Sequence, residues 1–259
     1  MIKKLYLLLF LLFAITRLFA AHLSDSTQQP KHQALVDTLK QQLAQLPNDS
    51  LKGGIYMQLA GSYMGYDSIR SAKEKLNYQN QALTYTFSAL HAYSRYNDTV
   101  GLRNAFDNLA KVYHAQKKYS QAKWYILQSN TISRSMNDVP NIIVSLTELS
   151  KIKADIKDYQ LALGDLHEAI KLSATNRLAK TEADVNLTLA MLYSRMKDYK
   201  NEALAMKRHQ NILDSIQKAD SSRIASNKAQ DSVLSKKKLR LVAYKRSLKA
   251  LSSKRMASI

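Results

Sequence analysis

The chain has 259 residues, of which 46% are hydrophobic, and it contains only 6 glycines and 3 prolines. A chain of this length can bury a sizeable core, and few of its residues break helices, so an all-helical protein is expected. It has no cysteine. A disulfide framework, a thiolate zinc site, a thiol nucleophile and a bacterial lipoprotein anchor are therefore excluded.

The formal charge of +19 is concentrated near the two ends of the chain. Residues 1–21 carry three basic residues, and residues 223–259 carry eleven Lys or Arg against a single Asp, which leaves +6 for the rest. The middle of the chain is thus only mildly basic. No nucleic-acid partner is expected.

Residues 1–21 have the features of a secretory signal peptide. Two lysines precede an apolar run over residues 5–15, and Ala20 and Ala21 supply small residues for cleavage. The apolar run is shorter than the roughly 20 residues of a spanning helix. We expect a periplasmic or otherwise exported protein, with an uncleaved N-terminal anchor in the inner membrane as the alternative.

After a polar stretch, residues 22–30, that we expect to be mobile, the sequence predicts a helix that caps the first repeat. Four leucines recur at helical spacing before Pro47 and form one face: Leu35, Leu39, Leu43 and Leu46. This helix opens a repeat domain that we place at residues 31–218.

The body of the chain repeats every 40 residues. Two sets of residues recur at that spacing, Leu109, Leu149 and Leu189, and then Tyr119, Tyr159 and Tyr199. A small residue follows each leucine, and Asn-Asp pairs at 97–98 and 137–138 suit helix ends and caps. A fixed period of this size indicates stacked helical hairpins.

Within one unit, the order of side chains resembles the tetratricopeptide repeat (TPR) family, whose unit has about 34 residues. The matching residues are Phe106, Leu109, Ala110, Tyr113, Tyr119 and Ala122. Small residues stand where two helices cross, and the additional residues of each unit follow the second Tyr. The resemblance implies an all-α, TPR-like α-solenoid of stacked hairpins with a long basic C-terminal helix.

Three departures from the repeat are visible. In the first unit, ten residues are inserted around Tyr66 to Lys75, and we expect an exposed loop or an extra turn there. In the third unit, Lys153 replaces a Tyr. In the fourth, Ala203 displaces the small residue by one position, which predicts a rotated or bulged second helix.

No residue pattern indicates catalysis. The sequence has no Gly-rich phosphate loop, His-Glu-x-x-His pair, EF-hand spacing or nucleophile elbow. We therefore predict no catalytic residues, no metal and no cofactor. Tyrosines at the family's packing positions are interpreted as core rather than as a stacking platform: Tyr113, Tyr119, Tyr159, Tyr193 and Tyr199.

The resemblance also implies a groove, lined by the first helix of each hairpin, that binds a protein or peptide ligand. The groove positions in this chain are Asn104, Asp107, Lys111, His114, Thr147, Lys151, Asp155, Asp184, Leu187, Met191 and Arg195. Their mixed charge predicts a polar or mixed peptide, although any one of them could be a solvated surface residue. The basic clamp of chaperone-binding relatives is not reproduced, because Asp107 stands at its first lysine position.

Residues 219–259 are expected to form a polar and then basic amphipathic helix. Its basic residues are Lys236, Lys237, Lys238, Arg240, Lys245, Arg246 and Lys249, beside a thin stripe of Leu234, Leu241, Leu248 and Leu251. The stripe could cap the fourth repeat, form a short coiled coil or contact an anionic membrane. We favour a cap or a mobile extension.

The order of repeats, long polar helix and basic segment resembles the periplasmic repeat regions of Bacteroidetes sensor kinases and regulators. The leading hypothesis is an exported, non-enzymatic scaffold for protein–protein interaction in the cell envelope. The alternatives are a signalling input module without its own output domain and a basic surface-associating protein.

We predict that the leader is removed near Ala20 or Ala21, because signal peptidase recognises a basic start, a short apolar run and small residues. The intact mass of the protein from its native host measures this. A full-length mass with the protein in the cytoplasm would contradict export and restore nucleic acid as a candidate partner.

Overall fold

The computed structural model describes residues 32–47 and 49–256, without the side chains of residues 229, 232, 233 and 239–256. The predicted signal peptide and mobile N-terminus lie outside these residues. All regular elements in the described part are helical: α1 (residues 32–45), α2 (Lys52–Ser62), α3 (Ala72–Arg95), α4 (Thr99–Ala115), α5 (Tyr119–Ser135), α6 (Val139–Asp155), α7 (Tyr159–Thr175), α8 (Ala179–Arg195) and α9 (Tyr199–Met256). The chain divides into two compact units after Ala169, within α7.

The 40-residue period of the sequence corresponds to a hairpin of two equal helices. Helices α4 to α8 each have 17 residues, and successive helices begin 20 residues apart. In the first unit, each helix from α2 to α6 packs against the next, and in the second unit α8 packs against α9. The predicted all-α fold of helical hairpins is confirmed.

Each helix reversal from α3 to α9 uses one residue with a left-handed backbone. At the reversal between α4 and α5, Lys117 has φ 58°. Its N–H donates to the carbonyl of His114 (2.8 Å), and the next N–H, of Lys118, donates to that of Tyr113 (2.9 Å). This is a Schellman motif. The same conformation recurs at Asn97, Asn137, Lys157, Arg177 and Lys197.

The residue that completes a Schellman motif also precedes the next helix. Asp98 accepts a hydrogen bond from the N–H of Gly101 (2.8 Å), and Asp138 accepts one from that of Asn141 (3.3 Å). The prediction that Asn ends a helix and Asp caps the following one is therefore confirmed at both Asn-Asp pairs. Because one residue serves both helices, the chain reverses in three residues.

The cores of the hairpins contain the predicted leucines and small residues. Leu109 and Leu149 are buried, and so are Ala110 and Ala122, which pack in one cluster with Leu149. A larger side chain at either alanine would push the crossing helices apart. Leu189 and Ala190 are likewise buried in the second unit.

Helix α1 buries most of the predicted face, with Val36 in place of Leu35. Leu35 is 51% exposed, whereas Val36 and Leu39 are buried and Leu43 packs against their cluster. The spacing of three and four residues from Val36 to Leu43 gives the stripe that contacts the first hairpin.

The insertion in the first hairpin is only partly exposed. It begins after α2 with a short 3₁₀ turn, Tyr66–Ser68, and its remainder extends α3, which starts at Ala72 and has 24 residues. Tyr66 is buried. Of the two expected forms, the extra turn is confirmed, and the exposed loop is wrong for this residue, because its ring packs into the core of the hairpin.

Lys153 is buried where other units have a Tyr. Its ammonium lies 2.7 Å from the carboxylate of Asp165 on α7. The ion pair gives the buried ammonium a charged partner at the position where the phenol of Tyr113 packs in the preceding hairpin, and burial still raises the pKa of Asp165.

The last hairpin departs from the repeat in its second helix. Ala203 is exposed and Ala205 is buried instead. Tyr199, predicted as core, is 68% exposed. The first turns of α9 therefore bury a face rotated relative to the one that α5 buries through Ala122, as predicted, but the buried alanine is Ala205 and not Ala203.

Helix α9 continues without a break for 58 residues. A cap that folds back on the fourth repeat would need a reversal, so that alternative is wrong. The side chains of Arg240, Lys245, Arg246 and Lys249 lie outside the described residues. None of the helices in the described part of the chain is long and apolar enough to cross a bilayer.

We predict that Leu149→Ala lowers the free energy of unfolding by about 2–5 kcal/mol, because it leaves a cavity between helices. Lys151→Ala, two residues away and partly exposed, serves as the control and should change it little. Denaturant unfolding measures both. Equal, small effects would contradict the repeat register.

Candidate functional site

The first unit contains a groove of about 540 Å³ between the last turns of α4 and the neighbouring α6. Three predicted residues line it together: Lys111 and His114 from α4 and Asp155 from α6. Sequence reasoning missed its other lining side chains, which include Met64, Tyr66, Asp67, Lys117, Tyr119 and Glu148. The groove therefore combines side chains of both charges with aromatic rings.

A hydrogen bond joins the first helices of two successive hairpins across this groove. The ring N–H of His114 lies 2.5 Å from the carboxylate of Asp155, and both side chains are half-buried. The 40-residue period places these positions one hairpin apart, 41 residues in sequence. The contact holds the two groove walls at a defined separation.

Lys151 and Thr147 lie on α6 near the same surface but make contacts within their own helix. The ammonium of Lys151 donates to the carboxylate of Glu148 (2.7 Å). The hydroxyl of Thr147 donates to the carbonyl of Ile143 (2.8 Å). Of the two, Lys151 is available to a ligand, since its ion pair with Glu148 can exchange for a contact to a partner at small cost.

The inserted turn forms the wall of the groove opposite α6. The hydroxyl of Tyr66 lies 3.5 Å from the carbonyl of Lys111, at the outer limit of a hydrogen bond. Burial raises the pKa of Tyr66 to about 12, so the phenol stays protonated. Lys75 donates to Asp67 (3.0 Å) and lies 5.9 Å from the Tyr66 ring. A tyrosine in a mostly polar insertion was the available sequence signal.

Asp107 is half-buried on α4 and does not line this groove. Its Oδ1 is buried and has no hydrogen-bond partner among the described residues. Burial raises the pKa of this carboxyl above its usual value, against the opposing influence of Ser129, Lys111 and Arg103. The side chain therefore costs stability when ionised.

Asn104 contacts a buried arginine. Its side-chain oxygen accepts from the guanidinium of Arg103 (3.2 Å), which also forms an ion pair with Asp138. Hydrogen bonds from Asn141, with a further contribution from Arg103, lower the pKa of Asp138. Arg103 thus links α4 to the turn before α6, and Asn104 lies at the exposed edge of this link.

The remaining predicted groove residues belong to the second unit. Asp184, Met191 and Arg195 are exposed on α8, and Leu187 is half-buried. On another face of α8, Glu182 pairs with Arg208 of α9 (2.8 Å). In the tail, Lys236, Lys237 and Lys238 are exposed.

The described residues hold no group of three His, Asp or Glu side chains able to bind a metal ion. His114 and Asp155 form a two-residue contact, and the next carboxylate in the groove, Glu148, is paired with Lys151. These side chains can form hydrogen bonds and ion pairs with the polar and charged groups of a polypeptide.

Comparison with known proteins identifies the fold. No protein-family model and no curated protein matches this sequence. Among solved structures, BtubC from P. vanneervenii is 14% identical, with a TM-score of 0.61 over 74% of this chain and 76% of that one. A putative kinesin light chain with nearly identical TPR-like repeats, from Podosopora anserina, is 16% identical, with a TM-score of 0.60 over 74% and 91%.

A third similar structure is a signal transduction ATPase with a tetratricopeptide repeat sensor, from Pyrococcus horikoshii. It is 18% identical, with a TM-score of 0.61 over 76% of this chain but only 29% of that protein. At such identities the likeness extends to the fold alone. The chain thus has a TPR-like helical repeat fold, which confirms the predicted fold class.

Two carboxyl groups of the first unit should affect stability in opposite directions. The raised pKa of Asp107 means that folding favours its neutral form, so its contribution to stability falls as the pH rises through its folded pKa. We predict that Asp107→Asn stabilises the protein by about 1 kcal/mol at pH 7, by removing the charge from a largely buried carboxyl.

Asp138→Asn provides the contrast. The lowered pKa of Asp138 means that its stabilisation is present above pH 3.8, the usual pKa of an aspartate, and is lost as the pH falls through the folded value. We expect Asp138→Asn to lower the free energy of unfolding by about 1 kcal/mol at pH 7, because Arg103 loses its charged partner. Denaturant unfolding at pH 7 and near pH 3 measures both, and both differences should shrink at low pH. Changes of the same sign at pH 7 would contradict this account.

Proposed function

We propose that this protein is a non-enzymatic scaffold that binds a protein or peptide partner in the groove between α4 and α6. The observation that carries the proposal is the set of convergent side chains there, Lys111, His114, Glu148 and Asp155, around an open volume of about 540 Å³. A volume of this size accommodates a few residues of a peptide.

The walls of this groove are preorganised. His114 pairs with Asp155, Glu148 with Lys151, and Asp67 with Lys75. Such contacts reduce the entropy lost when a ligand orders its binding site. Because the rim carries charges of both signs, we infer a polar peptide with mixed charge, whose orientation is selected by electrostatic complementarity.

We further propose that the scaffold acts in the cell envelope. The support is the leader-like composition of residues 1–21, with two lysines, an apolar run and small residues. Retention in the inner membrane by this segment is the alternative.

A sensor role is the second candidate function. It is favoured by the likeness to a structure described as having a tetratricopeptide repeat sensor, and by a long polar helix after the last repeat. In this case the chain would be an input module, similar to the periplasmic repeat regions of Bacteroidetes sensor kinases and regulators, that passes a signal to a separate protein. Co-purification of a membrane-spanning partner from the envelope would favour it.

The groove proposal is tested by selecting peptides from a random displayed library on the full chain and measuring their affinity for two double variants. Glu148→Ala with Lys151→Ala removes an ion pair of 2.7 Å from the groove. Arg134→Ala with Glu168→Ala removes one of 2.7 Å from the second helices α5 and α7. We expect the groove variant to bind at least about tenfold more weakly, equal to about 1.4 kcal/mol.

Both variants lose one cation and one anion, so they are matched in charge. The control variant should bind like the unmodified protein, because its two residues do not line the groove. Selection of no peptide above background, or equal weakening in the two variants, would contradict the groove as the binding surface. Circular dichroism of each variant checks that the helices are retained.

A further inference from the structure

A second pocket of the first unit lies at the end of α2 that is remote from the groove. It has a volume of about 620 Å³ and is lined where α2 begins, at Lys52, and where α3 ends, at Arg95. The groove is lined instead by residues that follow the last turn of α2, such as Met64. The pocket and the groove share no lining residue.

Each of the two helices presents a pair of side chains to this pocket. Lys52 and Tyr56 stand one turn apart on α2, and His91 and Arg95 stand one turn apart on α3. Residues four apart share a helix face, so each pair points the same way. Tyr96, at the end of α3, adds a second phenol. An ammonium and a guanidinium can only donate hydrogen bonds, so the pocket offers donors and aromatic rings to a ligand.

The acidic side chain of the pocket, Asp49, lies between its two cations. Its carboxylate is 2.5 Å from the ammonium of Lys52 and 3.9 Å from the guanidinium of Arg95. The second distance is too long for a hydrogen bond, so the guanidinium keeps donors for a ligand. The side chain of Asp49 is 52% exposed, and ion pairs at such positions are weak. Another carboxylate can therefore take its place.

The two walls of the pocket are held together by a close contact beside it. Gly53, the residue after Lys52, lies against the ring of Tyr93 on α3, and a Cβ added there would come within 2.6 Å of a ring carbon. The same ring lies against Gly101 in the first turn of α4. Tyr56 packs against the core of the first hairpin. Because these contacts fix the walls before a ligand arrives, they lower the entropic cost of binding.

We propose that this pocket binds a small organic carboxylate that carries a ring. The carboxylate displaces that of Asp49 between Lys52 and Arg95, and the ring contacts Tyr56 and Tyr96, the latter 45% exposed. A guanidinium matches the geometry of a carboxylate, and aromatic rings pack well on one another. The volume falls within the range of about 300–1,000 Å³ for small-molecule pockets. The site is separate from the proposed peptide groove.

Titration of the full chain with benzoate, followed by ligand-observed NMR, tests this proposal. Benzamide has the same size but no charge, and it should bind about tenfold more weakly or worse, because the two cations then meet no anion. Acetate should also bind more weakly than benzoate, because it lacks the ring. Lys52→Gln combined with Arg95→Gln should weaken benzoate binding by about tenfold.

Asp49→Asn should have the opposite effect. It removes the competing carboxylate and leaves both cations, so benzoate should bind about two- to fivefold more tightly. A loss of packing would not tighten binding, which makes this variant a test of the exchange itself.

The surface pair of Asp220 and Arg223 provides matched controls. Its side chains are 55% and 74% exposed, against 52% and 72% for Asp49 and Arg95. Asp220→Asn changes the net charge as Asp49→Asn does, and Lys218→Gln with Arg223→Gln matches the double variant of the pocket. Both controls should bind benzoate like the unmodified chain. Circular dichroism checks that every variant keeps its helices.

Several outcomes would overturn the proposal. These are the absence of saturable benzoate binding, equal binding of benzamide or acetate, equal weakening in the two double variants, and equal tightening by Asp49→Asn and Asp220→Asn. Displacement of benzoate by inorganic phosphate at a lower concentration than by acetate would assign the pocket to phosphate groups instead. Peptides selected on the groove should bind the pocket variants unchanged, so failure here is distinguishable from failure of the groove.

Discussion

The reversal of direction between helices is the constraint on which the remaining structure depends. A single left-handed residue, such as Lys117 or Asn137, ends one helix, and the residue after it precedes the next. A left-handed conformation costs a non-glycine residue about 1–2 kcal/mol. Six turns in the described part of the chain contain such a residue. As a result, helices α4 to α8 have the same length and begin 20 residues apart, so side chains 40 residues apart occupy equivalent places in successive hairpins.

This equivalence produces the groove. His114 and Asp155, one hairpin apart, meet because α4 and α6 present the same face and begin 40 residues apart. The inserted turn then adds a wall that no other hairpin has, with Tyr66 buried against the first hairpin and Asp67 at the rim. A regular scaffold with one local irregularity thus gives the first unit this groove.

The departures from the repeat show how the fold accommodates unfavourable residues. Lys153 would be costly in a helix crossing by itself, but Asp165 on the next helix neutralises it at 2.7 Å. Arg103 is buried in the same unit and meets Asp138, which also caps α6. In both cases the partner belongs to another helix or turn, so its identity cannot be read from local spacing.

The sequence by itself determined the helical class, the period, the buried leucines such as Leu149 and the turns at Asn97 and Asn137, because these follow from local spacing and backbone preference. Tertiary structure decided that Val36 rather than Leu35 completes the buried face of α1, that Tyr66 of the inserted turn lines the groove, and that Asp107 does not. Each of these depends on contacts between residues far apart in the chain, for which a periodic pattern carries no information.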